Sequence, residues 1–195
     1  YDRKKFCFRH NIPDENKIII LMPGSRQVEI KRHWQVFEQT VKTLQTKHKN
    51  LTFVLIEGEN VNINSNLDLI KVKERQYEAI GVADAAIVCS GTATLETSML
   101  RCPMVVCYKL SWATWFFAKA MSKVKYLSLT NLIAEDEIVE ELLQDKMNAK
   151  RLSQSIISLL NPKNKYELLK KYDKLIMKLK NSENTYDSAA KYIYD

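Results

Sequence analysis

Two short segments of this chain set small residues and hydroxyls beside one charged side chain, at the spacing of a turn running into a helix. The first is Pro23-Gly24-Ser25-Arg26 and the second is Ser90-Gly91-Thr92-Ala93-Thr94-Leu95-Glu96. After the first turn, the leading N–H groups of a helix have no intrahelical partner and favour an anion. Arg26 adds a planar donor suited to phosphate and Ser25 adds a hydroxyl. The competing reading is an ordinary helix start, capped by Ser25, with Arg26 in solvent. In the second segment, Ser90, Gly91, Thr92 and Thr94 permit close approach and offer hydrogen bonds. Glu96 repels phosphate but accepts two hydrogen bonds from a vicinal diol, so phosphate at a turn and ribose at Glu96 form a consistent pair. Here the competing reading is a helix capped by Thr92 with Glu96 favourable to the dipole. A strict capping box fails, because the residue three before Glu96 is Ala93. Neither segment matches the G-x-G-x-x-G fingerprint or a P-loop, which argues against NAD and against ATP hydrolysis.

Both turns need strands before them and helices after them, and the flanking patterns supply these. Lys17 to Met22 (KIIILM) is a β-branched run of the kind buried on both faces. Apolar residues at Val28, Ile30, Trp34, Phe37, Val41 and Leu44 then make Gln27 to His48 a helix. Leu51 to Ile56 reads as a second strand, Leu67 to Val72 as a third, and Glu74 to Val82 as a short helix. Ala85 to Cys89, Thr92 to Leu100 and Met104 to Tyr108 continue as strand, helix and strand. Strands alternating with helices at this spacing indicate parallel βαβ units, hence a doubly wound α/β sheet. Of only four glycines, Gly24, Gly58 and Gly91 fall just after strands, at the ends where such sheets bind ligands. From Asp136 onward only helical patterns are evident: Ile138 to Gln144, Asn148 to Leu160, Tyr166 to Asn181 and Tyr186 to Tyr194. The expected division is a linker over 1–16, a Rossmann-like domain over 17–160 and carboxyl-terminal helices over 161–195.

At 195 residues the chain is one domain with an appended segment, against roughly 100–200 residues per domain. Its apolar runs fall short of the ~18 residues that span a bilayer. Residues 1–17 hold no signal-peptide pattern, and a start at Tyr1 reads as a piece of a longer polypeptide. The net charge of +7 is uneven, with basic ends and a mildly acidic middle. This balance fits a lysine-rich composition, an anionic membrane surface or nucleic acid. Against nucleic acid, no strand interleaves aromatic with basic residues, as stacking platforms require. Cys7, Cys89, Cys102 and Cys107 form no C-x-x-C pair and have no metal-ligand spacing with His10, His33 or His48, so they read as buried reduced thiols.

Taken in order, LMPGSRQVEI (Leu21 to Ile30), CSGTATLETSMLRCPMVVCYKLS (Cys89 to Ser111) and YLSLTNLIAEDEIVEELLQ (Tyr126 to Gln144) resemble lipid-A-disaccharide synthase. That family is a bacterial glycosyltransferase of outer-membrane lipid A synthesis, and the closing ENTYDSAAKYIYD is similar to its last helix. The resemblance implies a GT-B architecture, with two Rossmann-like domains facing across a cleft, and this chain resembles the carboxyl-terminal, nucleotide-holding half. The implied reaction moves 2,3-diacylglucosamine from UDP to the 6-hydroxyl of 2,3-diacylglucosamine 1-phosphate with inversion. The implied UDP-binding residues are Gly24, Ser25, Arg26, Ser90, Gly91, Thr92, Thr94, Glu96 and Asn131. No metal and no cofactor is expected, since helix termini and Arg26 serve the phosphates. The family's proposed general base is an Asp of the amino-terminal half, which makes that half a partner and leaves this chain inactive by itself. The implied location is the cytoplasmic face of the bacterial inner membrane, held peripherally.

Departures from the family pattern bear on these roles. Thr130 stands where the family's Ser-Leu-Pro-Asn has Pro, and Glu135-Asp136 stand where it has Gly-Arg. A phosphate role for that loop is thereby weakened and the weight falls on Arg26. Cys107 replaces a smaller residue without threatening a contact. Trp112, Trp115, Phe116 and Phe117, with Lys119, Lys123 and Lys125 close behind, form an aromatic cluster suited to a partner domain or to an interfacial membrane contact. Other classes stay open at this point: a different UDP-N-acetylglucosamine-using GT-B enzyme (the lipid II transferase or the 2-epimerase), or a non-catalytic anion-binding module.

Overall fold

The computed structural model describes residues 1–58, 61, 63–110 and 125–194, with side chains as far as Lys180. Six strands, β1 (Lys17–Met22), β2 (Leu51–Ile56), β3 (Ile70–Val72), β4 (Ala85–Cys89), β5 (Met104–Tyr108) and β6 (Glu141–Leu143), form one sheet in the order β3-β2-β1-β4-β5-β6. Every pairing is parallel, with Ile19 beside Phe53, Leu21 beside Ile87 and Cys89 beside Cys107. This is the doubly wound α/β class that the sequence predicts.

Helices α1 (Arg3–Arg9), α2 (Gln27–Lys47), α3 (Gln76–Val82), α4 (Thr92–Met99), α5 (Leu129–Ala134), α6 (Ala149–Leu160) and α7 (Pro162–Tyr194) surround the sheet. Because strand side chains alternate between faces, the single run KIIILM feeds two cores. Ile19 and Leu21 pack with Phe37, Val41 and Leu44 of α2 and with Leu152 and Ile156 of α6. Ile18 and Ile20 pack on the other face with Phe6 of α1, Ile80 of α3 and Leu168 and Tyr172 of α7. Both faces are covered, which is why these strands read as continuous apolar runs.

Several boundaries differ from expectation, each for a physical reason. The segment 1–16, expected as a linker, contains α1, capped by the Asp2 side chain on the Lys5 N–H, with Phe6 and Cys7 buried. Burying a side chain such as Phe6 is worth ~1.5–3 kcal/mol. The helical pattern expected over Ile138 to Gln144 is overturned: Glu141–Leu143 is the edge strand β6, paired with β5. Only tertiary pairing distinguishes this short segment, since three residues carry little period. The two helices expected after Tyr166 are one, α7, because no breaker interrupts it. All four cysteines are buried and unpaired. Trp112, Trp115, Phe116, Phe117, Lys119 and Lys123 lie outside the described residues.

Candidate nucleotide site

The sheet reverses its winding between β1 and β4, which are adjacent although β2 and β3 intervene in sequence. Open α/β sheets bind ligands in the crevice at the carboxyl ends of such a pair. A cavity of about 490 Å³ lies there, walled by the turns after β1, β2 and β4. Another of about 450 Å³ lies at the opposite ends of β2 and β3, lined by His10, Asn16 and His48, away from the switch point.

The first wall is the turn Pro23 to Arg26. Gly24 adopts φ +128, and a Cβ there would meet Glu29 Oε2 at 2.9 Å, so glycine is required both by backbone conformation and by contact. The structure removes the Ser25 cap: Arg26 occupies the N-cap of α2 and no side chain bonds the first N–H groups. Ser25 and Arg26 are exposed beside the cavity. The second wall is the turn after β4, where Gly91 (φ +146) is the N-cap of α4, again without a side-chain cap, in place of the expected Thr92. A Cβ on Gly91 would meet nothing within 4 Å, so open space lies directly over this turn. Two helix N-termini thus offer unsatisfied donors to one cavity. Glu96, about one turn into α4, is half-buried on its wall. The third wall holds Gly58 and Gln76. Glu57, buried at the end of β2, accepts the Ile63 N–H at 3.1 Å and pairs with Lys71 at 3.3 Å, which fixes the backbone beside Gly58.

Seven of the nine residues expected at the site line this cavity: Gly24, Ser25, Arg26, Ser90, Gly91, Thr92 and Glu96. Ser90 Oγ donates to the Leu127 carbonyl at 2.8 Å, which brings the loop before α5 against the site. Thr94 is not on the wall. It is buried, and its hydroxyl donates to the Gly91 carbonyl at 2.8 Å, so it shapes the turn. Asn131 does not line the cavity either. Its side-chain nitrogen donates to Val139 O (2.8 Å) and Glu141 Oε1 (2.9 Å), and its oxygen accepts from the N–H groups of Ile138 (2.9 Å) and Val139 (3.0 Å). Its hydrogen-bonding capacity is used within the protein. Glu141 also accepts from the Leu127 and Ser128 N–H groups, so the Ser-Leu-Thr-Asn segment is tied to β6, while Leu127 just before it meets Ser90 on the cavity wall.

Beneath the walls lies a group that sequence reasoning missed. His33, buried on α2, sits 2.8 Å from the Pro23 carbonyl through Nδ1, and its Nε2 accepts the Lys109 N–H at 3.0 Å. Burial holds its pKa below the ordinary histidine value. Tyr108 packs on the ring at 5.0 Å between centroids and donates to Glu29 Oε1 at 2.9 Å. Burial, with the Glu29 contact adding to it, pushes the Tyr108 hydroxyl up to about 12. The available signal was position: His33 falls three residues after Ile30 and four before Phe37, on the buried stripe of α2. Among the described residues no group of three or more His, Cys, Asp or Glu side chains is placed to hold a metal ion.

Among solved structures, the chain is similar to spinosyn rhamnosyltransferase SpnG complexed with thymidine diphosphate. That likeness has a TM-score of 0.55 at 13% identity, covering 85% of this chain and 44% of that one. The sheet order and this likeness define the class, a Rossmann-like α/β domain of the kind that GT-B glycosyltransferases carry. At the level of sequence, residues 2–193 match the family model for lipid-A-disaccharide synthetase. The lipid-A-disaccharide synthase of Histophilus somni is 30% identical over 189 residues, which is 89% of this chain and 49% of that protein. The Blochmanniella floridana enzyme of the same name is 36% identical over 168 residues, 82% of this chain and 43% of that protein. The chain belongs to the lipid-A-disaccharide synthase family, and it spans about half the length of these relatives.

Proposed function

We propose that this chain is the donor-nucleotide-binding half of an inverting glycosyltransferase. The reaction transfers 2,3-diacylglucosamine from UDP to 2,3-diacylglucosamine 1-phosphate, in lipid A synthesis. The observation that carries the reading is that two helix N-termini without side-chain caps, Arg26 and Glu96 share one cavity at the switch point of the sheet. The N–H groups of α2 and α4 with Arg26 face the diphosphate, and Glu96 accepts from the ribose hydroxyls. Inversion follows from a single displacement. The acceptor 6-hydroxyl gives its proton to a base, its oxygen bonds to the sugar C1, and the C1–O bond to phosphate breaks with its electron pair leaving on UDP. Charge then builds on the leaving diphosphate, where preorganised donors lower the barrier most. The base and the acceptor belong to a facing domain, this chain's first partner. The lipid substrates place the enzyme at the cytoplasmic surface of a membrane, and no helix among the described residues is long and apolar enough to cross one.

Titration calorimetry with UDP and with uridine tests the reading. Arg26→Ala is expected to weaken UDP by ~1.5–3 kcal/mol, the range for a hydrogen bond to a charged group, and to leave uridine unchanged. Equal weakening of both ligands removes Arg26 from the phosphate.

A further inference from the structure

The Pro23 carbonyl is an acceptor only, so the nitrogen 2.8 Å away, His33 Nδ1, must carry the proton. The Lys109 N–H is a donor only, so His33 Nε2, 3.0 Å away, must be bare. Two backbone groups therefore admit one tautomer and one charge state. A proton added at Nε2 would face the Lys109 N–H, donor against donor, inside a fully buried site. The two backbone groups belong to the ends of β1 and β5, which are separated in the sheet by β4. At the end of β4, Cys89 Sγ stands 3.0 Å from the same Nδ1. One ring thus reaches three strand ends beneath the cavity. The Pro23 end leads directly into Gly24, Ser25 and Arg26.

We propose that His33 is a positioning residue for the nucleotide site: a neutral Nδ1–H imidazole, anchored at Nε2 by the Lys109 N–H, that holds the Pro23 to Arg26 turn at the height the diphosphate requires, and that shifts the turn when protonation at Nε2 turns the Lys109 contact repulsive and displaces the ring. This rests on the reading of the cavity as a UDP site. The titratable or charged groups facing the ring are Glu29 and Arg32 on its own helix, Cys89 on β4 and Tyr108 on β5. Cys89 lies against Cys107, and burial raises its thiol, so it stays uncharged through the neutral range. Tyr108 is likewise uncharged there. Glu29 and Arg32 oppose each other in their effect on the ring. Within the group, His33 is the member that burial keeps neutral at neutral pH and that takes up a proton only in acid.

The test uses a UDP-sugar, whose diphosphate lacks the second ionisation near pH 6 that would confuse the profile. Affinity of the parent chain is expected to hold through ~6.5, the ordinary histidine value, and to fall only at lower pH, where the buried ring takes up its proton, while uridine affinity stays flat. His33→Asn keeps an N–H near the Nδ1 position and retains binding within roughly twofold. His33→Gln keeps an acceptor near Nε2 but loses the Pro23 contact, and weakens binding roughly three- to tenfold, the range for one lost hydrogen bond. Equal losses in Asn and Gln, or a UDP-sugar affinity independent of pH, would overturn the positioning role. A second measurement needs neither variants nor ligand. In ¹⁵N NMR of the parent chain, the ring is expected as the Nδ1–H tautomer at pH 7.5, and the Gly24, Ser25 and Arg26 amides shift with its titration. If the parent chain binds no UDP-sugar, the site reading fails. The NMR titration still decides whether His33 governs the turn, because an Nε2–H ring or unmoved amides would reject it.

Discussion

The Asp84 carboxylate receives the Arg3 guanidinium at 3.0 Å, at the end of the sheet opposite the cavity. It also accepts the Ile18 N–H at 3.0 Å and lies within 4 Å of Lys17 and Lys165. One residue, 8% exposed, thereby ties α1, β1 and α7 together. Asp84→Ala leaves the Ile18 N–H unpaired and the cations without a counter-charge. Breaking a buried pair costs ~3–5 kcal/mol, but these cations are a third to a half exposed and recover hydration. The expected loss is therefore about 2 kcal/mol in denaturant unfolding, with UDP affinity unchanged where the fold persists. A loss below about 0.5 kcal/mol would show that Asp84 is no junction.

Glu96 gives a prediction of coupling. If its carboxylate accepts from both ribose hydroxyls, Glu96→Gln weakens UDP, while 2′-deoxy-UDP, already lacking one donor, loses less. The difference between the two losses is the interaction, expected at ~0.5–3 kcal/mol for groups in contact. Additive losses by calorimetry would return Glu96 to the helix dipole.

The strands that form this site were legible because burial on both faces writes itself as continuous β-branched runs, as in Ile18 to Leu21 and Ile87 to Cys89. The turns were legible because Gly24 and Gly91 need positive φ in a chain with four glycines. Where Asn131 sits was not legible, because a motif records that a residue matters and says nothing of what it touches. Here it fastens α5 to Val139, just before β6, and to Glu141 within it. β6 itself was hidden, since its three residues sit in a run whose apolar spacing also suits a helix and only β5 makes them a strand. His33 was hidden differently. Its two backbone partners lie 10 and 76 residues away, a relation that no local spacing encodes.

Acid should expose the buried histidine in stability as well as in binding. Burial depresses the folded pKa of His33, so below pH ~6.5 the unfolded chain takes up a proton that the folded chain refuses. The contribution is complete above that pH and is lost as the pH falls toward the folded value. His10 is lowered by burial too and adds a slope of the same sign. The discriminating measurement is therefore a difference. Urea unfolding of His33→Asn across pH 5 to 7.5 should show a shallower decline than the parent, and identical slopes would mean that His33 is charged in the folded chain.

The last prediction is that the purified 195-residue chain binds UDP and turns over no sugar donor. A base must stand within ~2.6–3.2 Å of the acceptor hydroxyl, or one water away. Among the described residues, two carboxylates line the cavity, Glu29 and Glu96. Glu29 accepts the Tyr108 hydroxyl and lies against Gly24, and Glu96 is assigned to the ribose, so both are committed to the donor side. Glu135 is exposed and pairs with Lys178, and Asp136 lines a different cavity with Lys171 and Lys174. A general base contributes ~10²–10⁴-fold, and positioning two substrates in a shared closed site contributes considerably more. In a radiolabelled transfer assay the chain should be silent. Activity should return when a facing amino-terminal half from the same family is supplied and associates. Disaccharide formed by the purified chain alone would place the base and the acceptor site within these 195 residues and overturn the assignment of this domain to the donor side.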